Sequence, residues 1–552
     1  MLGVILAVLI VPLATGIACF LVPFRVAAPL TVASGVACFG LVLALAPGAA
    51  RGGTPTYLSY LRADALSCVF LLATGFLYAA VSVYAAGYLR GRTDRYARRF
   101  YLGFNVFAWA MLAAPLMSSL ALLWIAIEVT TVVSALLVAI ETELPGKEGD
   151  GAAEASWKYV LIASAGLGLG LLATIFAYYA GAQVLGAHSN LAIAPLIAAG
   201  SRLPKTPVEL AFLLAVLGYG TKVGLAPVHT WLPDAHSEAP TPVSALLSGA
   251  LLATSFYAIL RFYQVAAAAL GSGFPRDTLL AFGVVSLLLA SLYVFGQRDV
   301  KRLLAYSSIE HMGILAIGVS FGAPAALGGV LLHVMAHAAA KGNAFMGAGV
   351  FTVKYRTKRM PAMRDGLRLL PWSGPLFLLS VLALSAFPPF GIFRSEFEIV
   401  AGGLGSGSYA AAAVLVILVT VAFFGLVTAV TGVLLRPAPA ESVPAETPPG
   451  ESVPARSEAV ARQTARADRT EAAGGTGVER VAGGDGGALA TAAPALASQA
   501  PAGRALEPGE PSAWMVIPVL AGLAVLVLLG VHPPGELTNL ITQAAAQLRG
   551  AP

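Results

Sequence analysis

Charge is scarce in this chain of 552 residues. Asp, Glu, Lys and Arg make up 11% of it, against 58% hydrophobic. A soluble domain carries roughly a quarter of its residues charged, so that class is excluded. With a mean hydropathy of +0.80, what remains is a polytopic membrane protein. Cysteine is nearly missing too. Cys19, Cys38 and Cys68 each stand alone in an apolar stretch, without ligand spacing, which excludes a disulfide framework and an iron–sulfur cluster in this chain. No strand-period alternation recurs, so the spans are helices rather than barrel staves. The net charge of +6 is no nucleic-acid footprint, because the basic residues gather in short clusters between apolar runs, as topology determinants do. No Lys or Arg precedes the first apolar run, which argues for a retained first helix over a cleaved signal peptide.

Long apolar runs are what the chain has in quantity. They fall at 2–23, 27–48, 65–88, 100–117, 118–141, 158–181, 208–227, 241–264, 278–297, 303–322, 325–350, 373–402, 408–435 and 513–531, each long enough to cross a bilayer. The expected fold is an all-α polytopic membrane protein of about fourteen transmembrane helices. Three basic clusters, Arg90–Arg99, Arg298–Arg302 and Lys354–Arg368, follow spans three, nine and eleven. They share one side, which the positive-inside rule makes the cytoplasm; both termini are then outside. Residues 436–512 are rich in Pro, Ala, Gly, Glu and Arg. Such a composition cannot bury a core, so a disordered cytoplasmic insert is expected there. The stretch from Glu536 to Arg549 is weakly amphipathic and suits the outer membrane surface.

Few ionisable residues lie inside the spans, and one stretch organises them. Leu210 to Pro242 carries Lys222 amid apolar residues, then Pro227, His229, Pro233, Asp234, His236 and further prolines. A buried ammonium is costly, and proline removes a backbone bond that lipid cannot replace. Both fit a helix broken beside a polar pathway. Span twelve repeats the pattern, with Glu396 after Pro388-Pro389. Paired interrupted helices mark an inverted-repeat transporter. Glu128 in span five is the natural ion partner of Lys222, since neither stays charged alone in apolar surroundings. His333, His337 and Lys341 fall four apart, on one helix face. Two histidines so spaced suit zinc, but no third ligand is evident and Lys341 repels a cation; a titratable stripe suits proton relay better. Glu310 and His311 lie in span ten.

The run from Lys222 to Ser244, the stretch Gln297 to Gly313 and the stretch Pro388 to Phe397 resemble the signature of the proton-translocating subunits of respiratory complex I, shared with Mrp-type cation/proton antiporters and group 4 membrane-bound hydrogenases. The resemblance covers roughly residues 60–435. Glu128-Val-Thr-Thr, Glu154-Ala-Ser-Trp157-Lys158-Tyr and Pro242-Val-Ser-Ala-Leu-Leu-Ser-Gly are most similar to the hydrogenase-4 component F group. The resemblance implies two inverted five-helix repeats with discontinuous helices 7 and 12. The divisions are then 1–99 for helices 1–3, 100–264 and 278–435 for the repeats, 436–512 for the insert and 513–552 for the last helix and tail. It also implies a central axis of buried charge, with Glu128 the ion-pair carboxylate, Lys222 the proton-binding lysine, His311, His337 and Lys341 the connection, and Glu396 the terminal residue. Lys158, His229, Asp234, His236, Thr254 and His333 are expected to support it. One departure stands out: many relatives carry a lysine in span eight after a Leu-Leu pair, where this chain has Leu251-Leu252-Ala253-Thr254. The implied function is a proton-translocating subunit of a redox-driven complex in a prokaryotic cell membrane. Its implied partners are other membrane subunits and a peripheral arm of nickel–iron hydrogenase or quinone reductase type, with no cofactor, metal or nucleic acid bound to this chain. A subunit of an Mrp-type antiporter is the alternative.

Overall fold

The computed structural model describes residues 1–52, 56–57, 59–143, 150–186, 190–437 and 506–550. The helices run α1 (Leu2–Leu21), α2 (Phe24–Ala50), α3 (Ala65–Tyr88), α4 (Asp94–Ala113), α5 (Leu120–Ala139), α6 (Asp150–Leu185), α7 (Ile193–Ala199), α8 (Lys205–Val223), α9 (Trp231–Glu238), α10 (Thr241–Leu246), α11 (Leu252–Leu270), α12 (Gly273–Tyr293), α13 (Val300–Phe321), α14 (Pro324–Tyr355), α15 (Gly366–Leu369), α16 (Ser373–Leu384), α17 (Gly391–Gly405), α18 (Tyr409–Leu435), α19 (Ala513–Val531) and α20 (Gly535–Leu548). A π-helical turn, Leu247–Leu251, joins α10 to α11. Strands are confined among the described residues to one hairpin, Thr56–Tyr57 against Leu61–Arg62. The molecule is therefore nearly all helical.

Among the described residues, eleven helices are long and apolar enough to cross a membrane. The expected runs at 100–117, 325–350 and 373–402 hold helices outside that set. α4 opens with Asp94, Arg95, Arg98 and Arg99. α14 buries two histidines and a lysine. The third run is split into α16 and α17. The expected insert at 436–512 lies outside the described residues except at its two ends.

At both breaks backbone groups freed from the helix find partners in the protein. α8 ends at Gly224, whose φ of +85° is a left-handed conformation that glycine adopts without strain. The amides of Gly224 and Leu225 both return to the Gly220 carbonyl at 2.9 and 2.8 Å. The Trp231 indole donates to the Thr221 carbonyl at 2.7 Å. Ser286 Oγ accepts from the Ala226 amide at 2.9 Å. Pro227, which has no amide hydrogen, follows. In the second break, the amides of Ser385 and Phe387 return to Val381 and Leu382 ahead of Pro388-Pro389.

Small residues set the closest approach. A Cβ at Gly218 would stand 2.4 Å from the Gly170 nitrogen and 2.8 Å from the Gly166 carbonyl, so α8 lies directly on α6. That contact carries Lys222 toward α5. α14 is the hub of the other half, packed against α13, α16, α17, α19 and α3. α20 buries Leu540, Ile541, Ala544, Ala545 and Leu548 against the bundle, where Gln547 bonds the Leu66 amide at 3.2 Å and the Gln264 side chain at 2.9 Å.

Candidate functional site

Lys222 is fully buried near the end of α8. Its ammonium donates to Thr131 Oγ1 on α5 and sits 5.5 Å from the centre of the Tyr159 ring on α6. Tyr159 is fixed in turn by a 2.7 Å hydrogen bond with Ser134 and by a tilted ring contact with Trp231, centres 4.4 Å apart. The Glu128 carboxylate accepts from Ser164 Oγ at 3.3 Å; its Oε2 is buried without a hydrogen bond. No salt bridge closes between Glu128 and Lys222. Thr131, three residues along the same face of α5, takes the contact position, and Glu128 acts on the lysine electrostatically.

The second half has a like arrangement. Lys341 on α14 is fully buried. It donates to the Leu304 carbonyl at 2.8 Å and to Ser307 Oγ, both on α13. Glu310, three residues beyond Ser307, acts on it electrostatically, with Oε2 buried and unbonded. Each half thus holds a lysine on a hydroxyl and sets a carboxylate one turn away. The candidate set read from the sequence lacks Glu310; its signal is a carboxylate within an apolar span upstream of Lys341, as Glu128 stands upstream of Lys222.

His311, His333 and His337 meet between α13 and α14, with ring centres 5.1, 5.1 and 6.2 Å apart. His311 Nδ1 lies 3.1 Å from His333 Nε2, and His333 Nδ1 lies 3.0 Å from Ser395 Oγ on α17. Both His337 nitrogens are buried without hydrogen bonds. Glu396 is buried on α17. Among the described residues, His311, His333 and Glu396 bring metal-type ligand atoms together, within 4.8 Å of one another. His337, one of the pair whose spacing suited zinc, is not in that group. The facing nitrogens of His311 and His333 are joined by one hydrogen bond.

His236 stands between the halves. It is fully buried on α9, 6.3 Å from Trp231 and 5.6 Å from Phe345, ring to ring, and it feels the charge of Lys341. The contacts therefore run Lys222, Tyr159, Trp231, His236 and on toward Lys341. Thr254 takes no part in that run: its hydroxyl donates to its own helix at the Ala250 carbonyl, 2.9 Å away. In the π-helical turn, Ser248 meets Ser308 of α13 at 2.7 Å, beside the Ser307 that holds Lys341.

Lys158 and Asp234 line a polar cleft of about 860 Å³ with Glu154, Glu238, Arg302 and Lys358. Lys158 pairs with Glu154, Asp234 with Arg302 and Lys358 with Glu238. These partly exposed pairs stabilise little; what they form is a solvated mouth one residue from Tyr159. His229 is half-buried in the turn of the first break, with Nδ1 unbonded. All three basic clusters reach this face. Lys358 and Arg298 carbonyls accept from Val300 and Met360 at 3.0 and 2.8 Å, and Arg92 lines an adjoining cleft with Arg356 and Arg359.

Span eight does carry a cation. Arg261 on α11 is buried against Asp64, Nη2 to Oδ1 2.6 Å and to Oδ2 2.8 Å. Burial alone raises the Asp64 carboxyl, but the Arg261 and Arg62 guanidiniums hold it below the usual carboxylate range. Sequence reasoning passed over this pair, since Asp64 stands outside the apolar runs.

The profile of a family described as NADH:quinone oxidoreductase/Mrp antiporter, TM matches residues 117–424. The Hydrogenase-4 component F homolog of Methylacidiphilum infernorum is 34% identical over 388 residues, 68% of this chain and 78% of that protein. NADH-quinone oxidoreductase subunit N of Desulforudis audaxviator is 30% identical over 376 residues, 68% of this chain and 72% of that one. A chain in the structure of the Mrp complex from Dietzia sp. superposes with a TM-score of 0.77 at 21% identity, covering 100% of this chain and 98% of that one; this likeness is one of fold.

Proposed function

Because the chain belongs to the NADH:quinone oxidoreductase/Mrp antiporter transmembrane family, we propose that it is the proton-translocating membrane subunit of a redox-driven complex of the hydrogenase-4 or complex I kind. The observation that carries this reading is Lys222. An ammonium buried in an apolar span costs a few kcal/mol, which marks it as a functional group, and here it rests on a neutral hydroxyl and an aromatic face instead of a contact carboxylate.

The side chains divide the work. Lys222 binds the proton. Glu128 strengthens or weakens that binding according to its own charge and distance. Tyr159 and Thr131 hold the ammonium in register. His236 bridges to Lys341, replacing the lysine that relatives carry in span eight, and Glu310 does for Lys341 what Glu128 does for Lys222. His311, His333 and His337 extend the line to Glu396 at the second break. Lys158 and Asp234 belong to the mouth that feeds it, and His229 borders the first break. Electrons run in partner subunits, a nickel–iron hydrogenase or quinone reductase arm, and this chain supplies no cofactor of its own. The setting is a prokaryotic cell membrane, with the basic face cytoplasmic, both termini outside and the repeats divided at 100–264 and 278–435.

The test is Lys222→Ala in the complex purified whole through a tag on this chain and reconstituted in liposomes. Proton uptake driven by the complex's own donor is expected to fall at least tenfold, the scale for removing a positioned proton carrier, with assembly retained. Uptake at the original rate would overturn the reading. Sodium dependence of uptake would favour an antiporter instead.

A further inference from the structure

A second cleft opens on the basic face beside the first. It holds about 580 Å³ and is lined by Tyr88, Arg92, Glu141, Ala239, Lys301 and Thr352. The Lys358–Glu238 pair stands in the wall that the two clefts share. Lys301 is buried, and its ammonium donates to the Ala239 carbonyl at 2.7 Å. Two helices lead from here to Lys341. On α13, Leu304 lies three residues after Lys301, one turn deeper, and its carbonyl holds the Lys341 ammonium. On α14, Gly349, Phe345 and Lys341 fall four apart, along one face. A Cβ at Gly349 would stand 2.2 Å from the Tyr84 hydroxyl and 2.4 Å from Thr241 Cγ2, so both side chains lie against that face. Both adjoin the cleft through Tyr88, which stacks on Tyr84 and stands beside Thr241. Phe345 meets the His236 ring, which feels the charges of Lys301 and Lys341. Tyr84, Thr241 and His236 are fully buried. Yet the Tyr84 hydroxyl, Thr241 Oγ1 and both His236 nitrogens close no hydrogen bond among the described residues, although the Tyr88 hydroxyl is near Thr241 and the Leu232 carbonyl near the ring. Buried polar atoms of this kind are the ones that ordered water binds.

We propose that this cleft is a second proton inlet, which loads Lys341 as the mouth beside Lys158 loads Lys222. This inference rests on the proton-translocating reading above. Water entering beside Lys301 has the Tyr84 and Thr241 hydroxyls and the His236 ring for partners on its way inward. At the end of that course a neutral Lys341 amine takes up one proton and becomes the ammonium that Ser307 and the Leu304 carbonyl hold. Passing the proton on along the line restores the amine, so only an N–H bond is made and broken. Each half then has its own entry on one face, and the loading of Lys341 does not wait on transfer from Lys222.

The experiment places a thiol just inside the cleft. Thr241→Cys and Ser380→Cys are made separately in the intact, tagged complex in liposomes. Ser380 is equally buried, on α16, with its hydroxyl on its own helix. Labelling by 2-aminoethyl methanethiosulfonate is read from the mass of this chain, against the unaltered chain, whose three cysteines are buried. A buried thiol away from water is inert, so Thr241→Cys is expected to label at least about tenfold faster than Ser380→Cys. Redox-driven proton uptake is then read against the unaltered complex treated in the same way. Labelled Thr241→Cys is expected to lose about half of the uptake, one entry of two being closed, and dithiothreitol, which removes the label by thiol–disulfide exchange, to restore it. If Thr241→Cys does not assemble, Tyr84→Phe with Thr241→Val, which removes the two hydroxyls at nearly unchanged volume, is expected to show the same loss. Labelling of Thr241→Cys no faster than that of Ser380→Cys, or full uptake after labelling or in the double variant, overturns the inference while Lys222→Ala still abolishes uptake. Normal uptake in Lys222→Ala overturns the underlying reading instead.

Discussion

Asp64 and Arg261 differ from Lys222 in how their charge is kept in the bundle. Asp64 holds two guanidiniums and the Ser67 amide, so every strong interaction of its carboxylate is closed. Removing one partner strands the other. Asp64→Ala is expected to destabilise the purified protein by about 3–5 kcal/mol, read as a lowered thermal midpoint, while Asp64→Leu with Arg261→Met recovers most of the loss. The pH dependence has a definite sign. A carboxyl held below its unfolded value, about 3.9, contributes stability that is present above that value and lost as pH falls through the lower folded value. The contribution is therefore flat around neutrality. Acid unfolding of the unaltered protein is expected to set in below about pH 4, with the Asp64→Leu/Arg261→Met variant losing that part of the dependence. Lys222 has no such partner, and its replacement is expected to alter transport far more than stability.

The α6–α8 pair decides whether Lys222 reaches Thr131. Gly218 has no room for a Cβ against Gly170, and close backbone approach through small residues is what holds helices together where the solvent is itself apolar. Gly218→Val is expected to push the helices apart, costing about 1–3 kcal/mol as overpacking does. It also withdraws the ammonium from its hydroxyl. The check is twofold: a lower thermal midpoint and a loss of proton uptake, with Gly168→Val, where a Cβ meets nothing within 4 Å, leaving both unchanged.

The ends of the 436–512 stretch meet on one loop of the bundle. The Asp365 amide donates to the Arg436 carbonyl at 3.0 Å, and the Gly509 amide to the Leu369 carbonyl at 3.0 Å. Glu510 accepts from the Trp372 and Ser373 amides at 3.0 and 2.9 Å. Exchanging 438–505 for a short Gly/Ser linker is therefore expected to leave assembly, thermal midpoint and proton uptake unaltered. The shared basic face makes a second prediction at this scale. Single cysteines at Arg92, Gln297 and Arg359 are expected to react with an impermeant maleimide from the same side of sealed vesicles, and one at Gly3 from the other side.

Much of this was legible in the chain itself. Scarce charge, long apolar runs and the absence of strand alternation determine a helical membrane bundle, because hydrocarbon leaves the backbone no other way to close its hydrogen bonds. Lys222 with Pro227, and Glu396 with Pro388-Pro389, disclose the two broken spans for the same reason. The four-residue spacing of His333, His337 and Lys341 shows one face of one helix. What a periodicity cannot disclose is which face meets which. That Thr131 and not Glu128 touches Lys222, that Glu310 mirrors Glu128, that Arg261 finds Asp64 and that Ser395 reaches His333 are all settled by contacts between helices far apart in sequence. Side chains at such crossings are chosen by distance in space, and only the packed bundle supplies it.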